Sequence, residues 1–392
     1  VDLSLDDRLR QRLLRVRELG RSEMRPLGLE ADRLGRPLPA DHPFFERLVA
    51  LGLGRTRWSG EGEAGGAGGG GTRAVVQLAE EMAYWDRGVA VAFPGPGLGE
   101  APLLALGSEE QRERFLGPFR SPDRPHWGAL AMTEPGAGSD VAAIRSRARR
   151  VDGGFVLDGE KSFAANASRA DWIVVFATVD PALGREGHRA FVVERGSPGL
   201  GNFHVEHKMG LKAYESTSFT LRDCFVPDSN LLAGNDPSAR RSGFSGALRS
   251  FNSTRPAIAA MAVGMGRAVL DESVAFARAH GLLRSIRVQD RLERMRRKLR
   301  ASRWLCLRAA WLADLRRENQ LEASMAKAIA PAAALDAAVA GMEILGEVAG
   351  RGDTLVEKLF RDVKAMDIVE GTGEIQRIVM ARRLVGLPRD TG

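Results

Sequence analysis

With 392 residues, 44% of them hydrophobic and 27% charged, the chain is too long for one small core and too apolar for a disordered segment, so two or three packed units are expected. Two cysteines exclude a disulfide framework, no histidine and cysteine spacing suits a metal, and no apolar run is expected to insert into a membrane. The net charge of +7 leaves room for an anionic partner.

Val1 to Arg17 is a charged amphipathic stretch without the apolar middle of a secretory signal, which gives the expectation of a cytoplasmic protein. Leu9, Leu13, Val16 and Leu19 recur at three and four residues and predict a helix, as do Val75, Leu78, Ala79 and Met82. Between them, Gly60 to Gly71 holds eight glycines with Glu61 and Glu63. Its amides could cradle a phosphate, but it lacks the lysine and hydroxyl of a nucleotide loop and reads as a connector. From about Trp127 to Ala233 the pattern changes to strands. Phe155 and Leu157 alternate ahead of an expected turn at Asp158-Gly159, Ile173 to Phe176 and Ala190 to Val193 are buried runs, and Phe219 and Leu221 alternate with Thr220 and Arg222.

Helices return from Phe244 onward. Val288, Leu292, Met295, Leu299, Ser302, Cys306, Ala309 and Ala313 step by four and three as the seam of a bundle. The expected units are therefore a helical domain over 1–125, a β domain over 126–235 and a helical bundle domain over 236–392. Arg284, Arg287, Arg291, Arg294, Arg296, Arg297, Lys298, Arg300 and Arg303 crowd one predicted helix. They read first as a solvated face. Nucleic acid is disfavoured because no aromatics interleave them, whereas a phosphorylated or acidic carrier suits such a surface.

Two segments carry chemistry. The run Ile368-Val369-Glu370-Gly371-Thr372-Gly373-Glu374-Ile375-Gln376-Arg377 sets a carboxylate between an apolar pair and a glycine turn. Ile368 and Val369 are expected to desolvate Glu370, disfavouring its charged form and strengthening it as a base, while Gly371 lets a substrate approach the backbone. Thr372 can cap a helix through Ile375, Ile378, Val379 and Met380 to Arg383, closed by Gly386 and Pro388. Far upstream, Ala131-Met132 leads into Thr133-Glu134-Pro135-Gly136-Ala137-Gly138-Ser139-Asp140, a turn-rich stretch whose glycines permit close backbone approach.

These two motifs, with Arg361-Asp362 ahead of the second, resemble the acyl-CoA dehydrogenase family over nearly the whole chain. The resemblance implies a mainly α fold with a central β domain: an N-terminal helical domain, a β barrel-like middle domain and a C-terminal four-helix bundle. It further implies FAD held across a subunit boundary in a homo-oligomer, generally a tetramer built as a dimer of dimers. The implied reaction is α,β-dehydrogenation of an acyl thioester on coenzyme A or an acyl-carrier protein, with an electron-transferring flavoprotein as acceptor. Protein side chains supply no hydride acceptor, so a flavin would take the β hydride at N5 while Glu370 takes the α proton. The Glu370 amide and a ribityl hydroxyl would bind the enolate oxygen.

Carried over by motif, Leu130, Met132, Thr133 and Ser139 fall in the segment that wraps the flavin, with Thr133 on its pyrimidine edge. Phe163 and Ala165 match positions beside the ring. Arg278, Gln289, Thr372 and Glu374 match positions on its adenosine and pyrophosphate side. Ser139, Asn252, Arg255 and Gly371 match substrate contacts, and Asn252 to Pro256 is expected to precede a helix. Three departures stand out. Ala165 replaces a hydroxyl residue near N5, so a backbone amide would have to serve. His280-Gly281-Leu282 alters the arginine motif that begins at Arg278. Glu343 replaces a neutral donor, and a carboxylate there is expected to repel the pyrophosphate. These changes keep two alternatives open: a flavin-poor partner subunit, or a basic nucleic-acid-binding relative of the same fold.

Overall fold

A computed structural model describes residues 6–56, 58, 71–233 and 237–386, the side chains of 237–253 excepted; the glycine connector at 60–70 and Pro388 lie outside them. Helices α1 (Asp7–Leu19), α2 (Arg25–Leu34), α3 (Pro43–Ala50), α4 (Gly71–Ala92), α5 (Glu100–Leu106) and α6 (Glu109–Leu116) come first. Asp6 starts α1 by accepting from the Leu9 amide at 2.6 Å, and the predicted face buries Leu9 and Leu13 against Ala74 and Leu78 of α4. Asp86 interrupts α4 with φ −164° and ψ 115°. Its Oδ1 then accepts from the Val89 amide at 2.8 Å and restarts the helix.

Strands β1 (Gly128–Ala131), β2 (Arg147–Val151), β3 (Gly154–Ala165), β4 (Trp172–Thr178), β5 (His188–Glu194), β6 (Leu200–Val205) and β7 (Ser216–Pro227) form one seven-stranded sheet. All seven residues of β4 are buried, as its unbroken apolar run requires. Antiparallel β5 lies along one edge of β4; parallel β1, and β2 at Thr178, share the other. The expected turn at Asp158-Gly159 does not form. β3 continues through it, and its pairing with β7 shifts register between Leu157 and Gly159, which marks a bulge. Gly159 has φ 154°, and a Cβ there would sit 2.3 Å from the Ser146 hydroxyl, so this glycine serves a close approach. The chain reverses instead at Asp152-Gly153, where Gly153 has φ 71°.

The C-terminal part comprises α7 (Pro237–Ala279), α8 (Ile286–Asp314), α9 (Gln320–Leu345), α10 (Leu355–Val363), α11 (Ala365–Ile368) and α12 (Gly373–Leu384). In α8 the predicted seam holds: Leu292, Met295, Leu299, Ser302, Cys306 and Ala309 are buried, with Val288 and Ala313 half-buried. Each Leu or Met buried there stabilises by about 1.5–3 kcal/mol. Helix α4 contributes Val76, Ala79 and Ala83 to the same core, so the N-terminal helices and the bundle share one interior. Asn252 to Pro256 lies inside α7 rather than ahead of it. The segment Gln320–Arg351 is, against expectation, long and apolar enough to cross a membrane; 56% of its most apolar window is buried in the bundle, which accounts for that composition. Both cysteines are buried, and burial lifts the Cys224 thiol to about 11.

One polar cluster ties the parts together. Lys358 Nζ donates to Asp86 Oδ2 at 2.7 Å and to Asp362 Oδ2 at 2.5 Å, while Asp362 Oδ1 accepts from the Leu211 amide at 2.5 Å. Burial alone would strip the Lys358 proton, but the two carboxylates raise its pKa.

Candidate active site

Helix α11 ends at Ile368, Val369 is extended, and Glu370 and Gly371 then take φ 55° and 94°. Two successive left-handed residues reverse the chain into α12, where the Ile375 amide reaches the Thr372 hydroxyl at 3.4 Å as the cap predicts. A glutamate in this region costs about 1–3 kcal/mol, which the surroundings must outweigh. The Gly371 carbonyl accepts from Lys327 Nζ at 3.1 Å and from Gln376 Nε2 at 3.2 Å, which pins the turn. Glu370 Oε2 accepts from the Thr254 hydroxyl of α7 at 2.6 Å.

Of the two residues expected to desolvate the carboxyl, Ile368 is 57% exposed, whereas Val369 packs half-buried against the bundle core. Glu370 is nonetheless driven up in pKa by burial, opposed by the Thr254 hydrogen bond and by the charges of Arg87, Lys327 and Arg255. Burial also lowers Arg255 and Arg87, and brings Lys327 down to about 8. The result is one carboxylate of raised proton affinity among three desolvated cations. Such a group can accept a proton from a weak carbon acid and hold it.

In the upstream motif, Glu134 and Ala137 exchange backbone hydrogen bonds of 3.1 Å, closing the turn after β1. The buried Glu134 carboxylate accepts from Lys161 Nζ at 2.6 Å and from the Arg145 and Ser146 amides at 2.6 and 3.0 Å. Burial by itself would raise its pKa, but Lys161 and the two amides hold it below the usual carboxylate range. Lys161, for which Glu134 is the one counter-charge among the described residues, is brought down to about 8 by burial. Glu134 is therefore an anchor for the loop. The Ser162 amide donates to the Thr133 carbonyl at 2.9 Å, which sets Thr133 beside Phe163. Phe163 has φ 58° and is 64% exposed. Leu130 and Met132 pack half-buried nearby in the sequence, Ser139 is exposed, and nothing lies within 4 Å of a Cβ built at Gly136 or Gly138. An uncovered aromatic beside an open glycine loop fits a flat, partly apolar ring such as the isoalloxazine of FAD.

The remaining candidates stand apart. Arg278 and Gln289 line a 590 Å³ cavity between α7 and α8, and no wall of it comes from the 130–139 segment or the 370 turn. Thr372 spends its hydroxyl on the cap, and the exposed Glu374 is held below the usual carboxylate range by its own amide and Thr372. Ala165 closes β3 opposite Ser216 of β7. The Asn252 side chain lies outside the described residues. Glu343 is not an isolated negative charge: Arg291 Nε donates to it at 2.7 Å. Several of the cations on α8 are likewise paired, Arg294 with Asp290, Arg296 with Glu293 and Lys298 with Asp336.

Sequence reasoning gave no role to Thr254, Lys327, Arg87, Glu134 or Lys161. Thr254 sits inside a quoted motif, and Asp86-Arg87-Gly88 places a capping residue and a glycine within an apolar helical run, which was the one local signal of a helix restart.

Three family models match in succession: Acyl-CoA dehydrogenase, N-terminal domain, over 7–122; middle domain, over 129–224; and C-terminal domain, over 241–385. The chain is 35% identical over 294 residues to an acyl-CoA dehydrogenase of Bacillus subtilis (strain 168), covering 74% of this chain and 76% of that one. Its fold is similar to butyryl-CoA dehydrogenase from Megasphaera elsdenii, with a TM-score of 0.88 and 28% identity over 98% of this chain and 100% of that one. It is similar as well to the prolyl acyl carrier protein oxidase AnaB, with a TM-score of 0.85 and 26% identity over 97% and 100% of the two chains.

Proposed function

The chain belongs to the acyl-CoA dehydrogenase family, and from that premise we propose that it carries out flavin-dependent α,β-dehydrogenation of an acyl thioester with Glu370 as the base. The observation that carries the assignment of Glu370 is its turn: a carboxylate forced into left-handed backbone, raised in proton affinity by burial and kept ionisable by Thr254 and three cations. FAD, when bound, supplies the hydride acceptor that no side chain offers. Leu130, Met132, Thr133, Ser139, Phe163 and Ala165 would hold its ring. Arg255 lies close enough to Glu370 to favour its ionised form, and with Ser139 and Gly371 it would orient the thioester. The backbone amide of Glu370 would bind the carbonyl oxygen as charge develops on it.

Arg278 and Gln289 open on a separate face, so they would reach the adenosine side of a cofactor only from a second copy, together with Thr372 and Glu374. The working unit is then a homo-oligomer, a dimer at least and a tetramer by the resemblance. Likeness to both an acyl-CoA dehydrogenase and an acyl-carrier-protein oxidase supports either carrier for the acyl group. An electron-transferring flavoprotein as acceptor and a cytoplasmic location complete the reading. The Arg291–Glu343 pair lessens the repulsion that favoured a flavin-poor subunit, and pairing along α8 weakens the case for nucleic acid. The test is anaerobic titration with a panel of acyl thioesters while following flavin absorbance. Glu370→Gln should stay yellow and lose about 10²–10⁴-fold in bleaching rate. Full turnover in that variant would refute the assignment.

A further inference from the structure

Four exposed arginines near the 133–139 loop have no carboxylate partner among the described residues: Arg145, Arg147 and Arg149 at and just ahead of β2, and Arg185 in the turn Pro181–Gly187. Glu134 sets the position of the first three. Its carboxylate accepts from the amides of Arg145 and Ser146 at 2.6 and 3.0 Å, so the chain enters β2 directly from the anchored loop. Ser146 and Ala148 are buried and alternate with the three arginines, which therefore share the solvent face of one extended segment, successive members about 7 Å apart. The short turn Val141–Ala143 after Ser139 lies alongside Pro181–Gly187, which brings Arg185 into the same neighbourhood. Nearby acids face other partners. Asp158, opposite Arg147 across the ladder, accepts from the Asp223 amide at 2.8 Å, and Asp140 accepts from the Ala142 amide at 3.1 Å. On α8, by contrast, Arg294, Arg296 and Lys298 each hold a carboxylate.

We propose that this arginine row is the docking surface for an acidic acyl-carrier protein, which delivers the acyl group to Glu370 on its pantetheine arm past Ser139. The inference rests on the dehydrogenase reading, since that reading places the thioester arm at Ser139. The layout of the charge favours a protein over a nucleotide. Linked phosphates draw their cations to one point in a concave site. Three cations in a line on an exposed strand, about 7 Å apart, instead match carboxylates on successive turns of a helix, about 5–6 Å apart. Exposed charges of this kind act by speeding encounter and fixing orientation more than by tightening the complex.

The test uses the flavin-loaded protein and the acyl group that bleaches it fastest, carried on pantetheine, on coenzyme A and on a bacterial fatty-acid carrier protein bearing phosphopantetheine. Wild type should show a kcat/KM about 10–10²-fold higher for the carrier-protein thioester than for the pantetheine one, with the advantage shrinking as salt rises. Arg145→Glu, Arg147→Glu and Arg149→Glu together should remove that advantage and leave the pantetheine rate in place. Arg8→Glu, Arg15→Glu and Arg21→Glu make the same change of net charge on and just after α1, and should leave the advantage intact. A wild type that uses carrier-protein and pantetheine thioesters equally well overturns the proposal, even if the row variant does not fold. So does an equal loss in both triple variants, or a loss confined to the coenzyme A thioester, which would make the row a nucleotide site. An unchanged advantage in the row variant overturns it as well and leaves the arginines as guards of an exposed sheet edge. Bleaching by none of the three thioesters would sink the dehydrogenase reading instead. Calorimetric titration with the unacylated carrier protein, expected to bind wild type more tightly than the row variant, would still report on the docking surface.

Discussion

Thr254→Val replaces a hydroxyl with a methyl of nearly the same size and deletes the 2.6 Å hydrogen bond to Glu370 Oε2. A hydrogen bond to a charged group is worth about 1.5–3 kcal/mol, and about 1.36 kcal/mol corresponds to one pKa unit, so the Glu370 pKa should rise by about 1–2 units beyond its already raised value. The base works only when ionised. The acid limb of kcat/KM should therefore move to higher pH by that amount, while the plateau above it stays near the wild-type rate. Linkage gives an independent reading. A carboxyl whose folded pKa is raised contributes stability that is full below the unfolded pKa and lost as pH rises through the folded one. The variant enlarges that shift, so its denaturant midpoint should fall further behind wild type at pH 8 than at pH 5. A limb that stays in place while the whole profile drops would refute the reasoning, because Thr254 would then act through packing and not on the carboxylate.

Glu134→Ala leaves Lys161 buried without its counter-charge and two amides without an acceptor, a loss of about 3–5 kcal/mol readable by denaturant titration. Because Glu134 is held below the ordinary carboxylate pKa, its contribution is present above that value and lost as pH falls through the folded one; the acid slope of stability should shrink in the variant. Lys358→Met strands Asp86 and Asp362 together in the interior and should cost a similar amount, about 3–5 kcal/mol, with loss measured by the thermal midpoint. Gly371→Ala forces a Cβ to 2.7 Å from Gln376 Nε2 at φ 94°. It should lower stability by about 1–2 kcal/mol and depress turnover by more than that figure implies, because the turn carries Glu370.

Local patterns were enough for much of the fold, and the failures are informative. Spacing of three and four found the faces of α1 and α8 because burial alone decides them. The misplaced turn arose because the chain holds two Asp-Gly pairs close together, at Asp152 and Asp158, and either is good hairpin chemistry. What chooses between them is tertiary: β3 pairs with β7 on both sides of Gly159, and Ser146 presses on that glycine. Likewise a Thr-Arg-Pro sequence reads locally as a helix start. Pro256 nevertheless sits inside α7, whose following residues Ala257 to Val263 are almost all buried in the shared core. Packing of that face outweighs the lost backbone hydrogen bond.

For the site, motif order located Glu370 and the loop at 133–139, but not the groups that tune them. Thr254 and Glu370 are 116 residues apart in the chain, a relation no local pattern records. Of the two neighbours expected to desolvate the base, Ile368 is left largely exposed. The groups that tune Glu370, namely Thr254, Arg87, Lys327 and Arg255, are all remote from it in sequence. That environment also answers a chemical problem that apolar neighbours could not. Burial among hydrocarbon would raise the proton affinity of a carboxyl until it stayed protonated near neutral pH and could accept nothing. Burial opposed by one hydroxyl and three desolvated cations raises it less than burial alone would, which suits a group that has to be ionised before it can take a proton. Under the proposed reading the same cations would also pull on the charge that develops at the thioester carbonyl, so the groups that tune Glu370 would make its substrate more acidic as well.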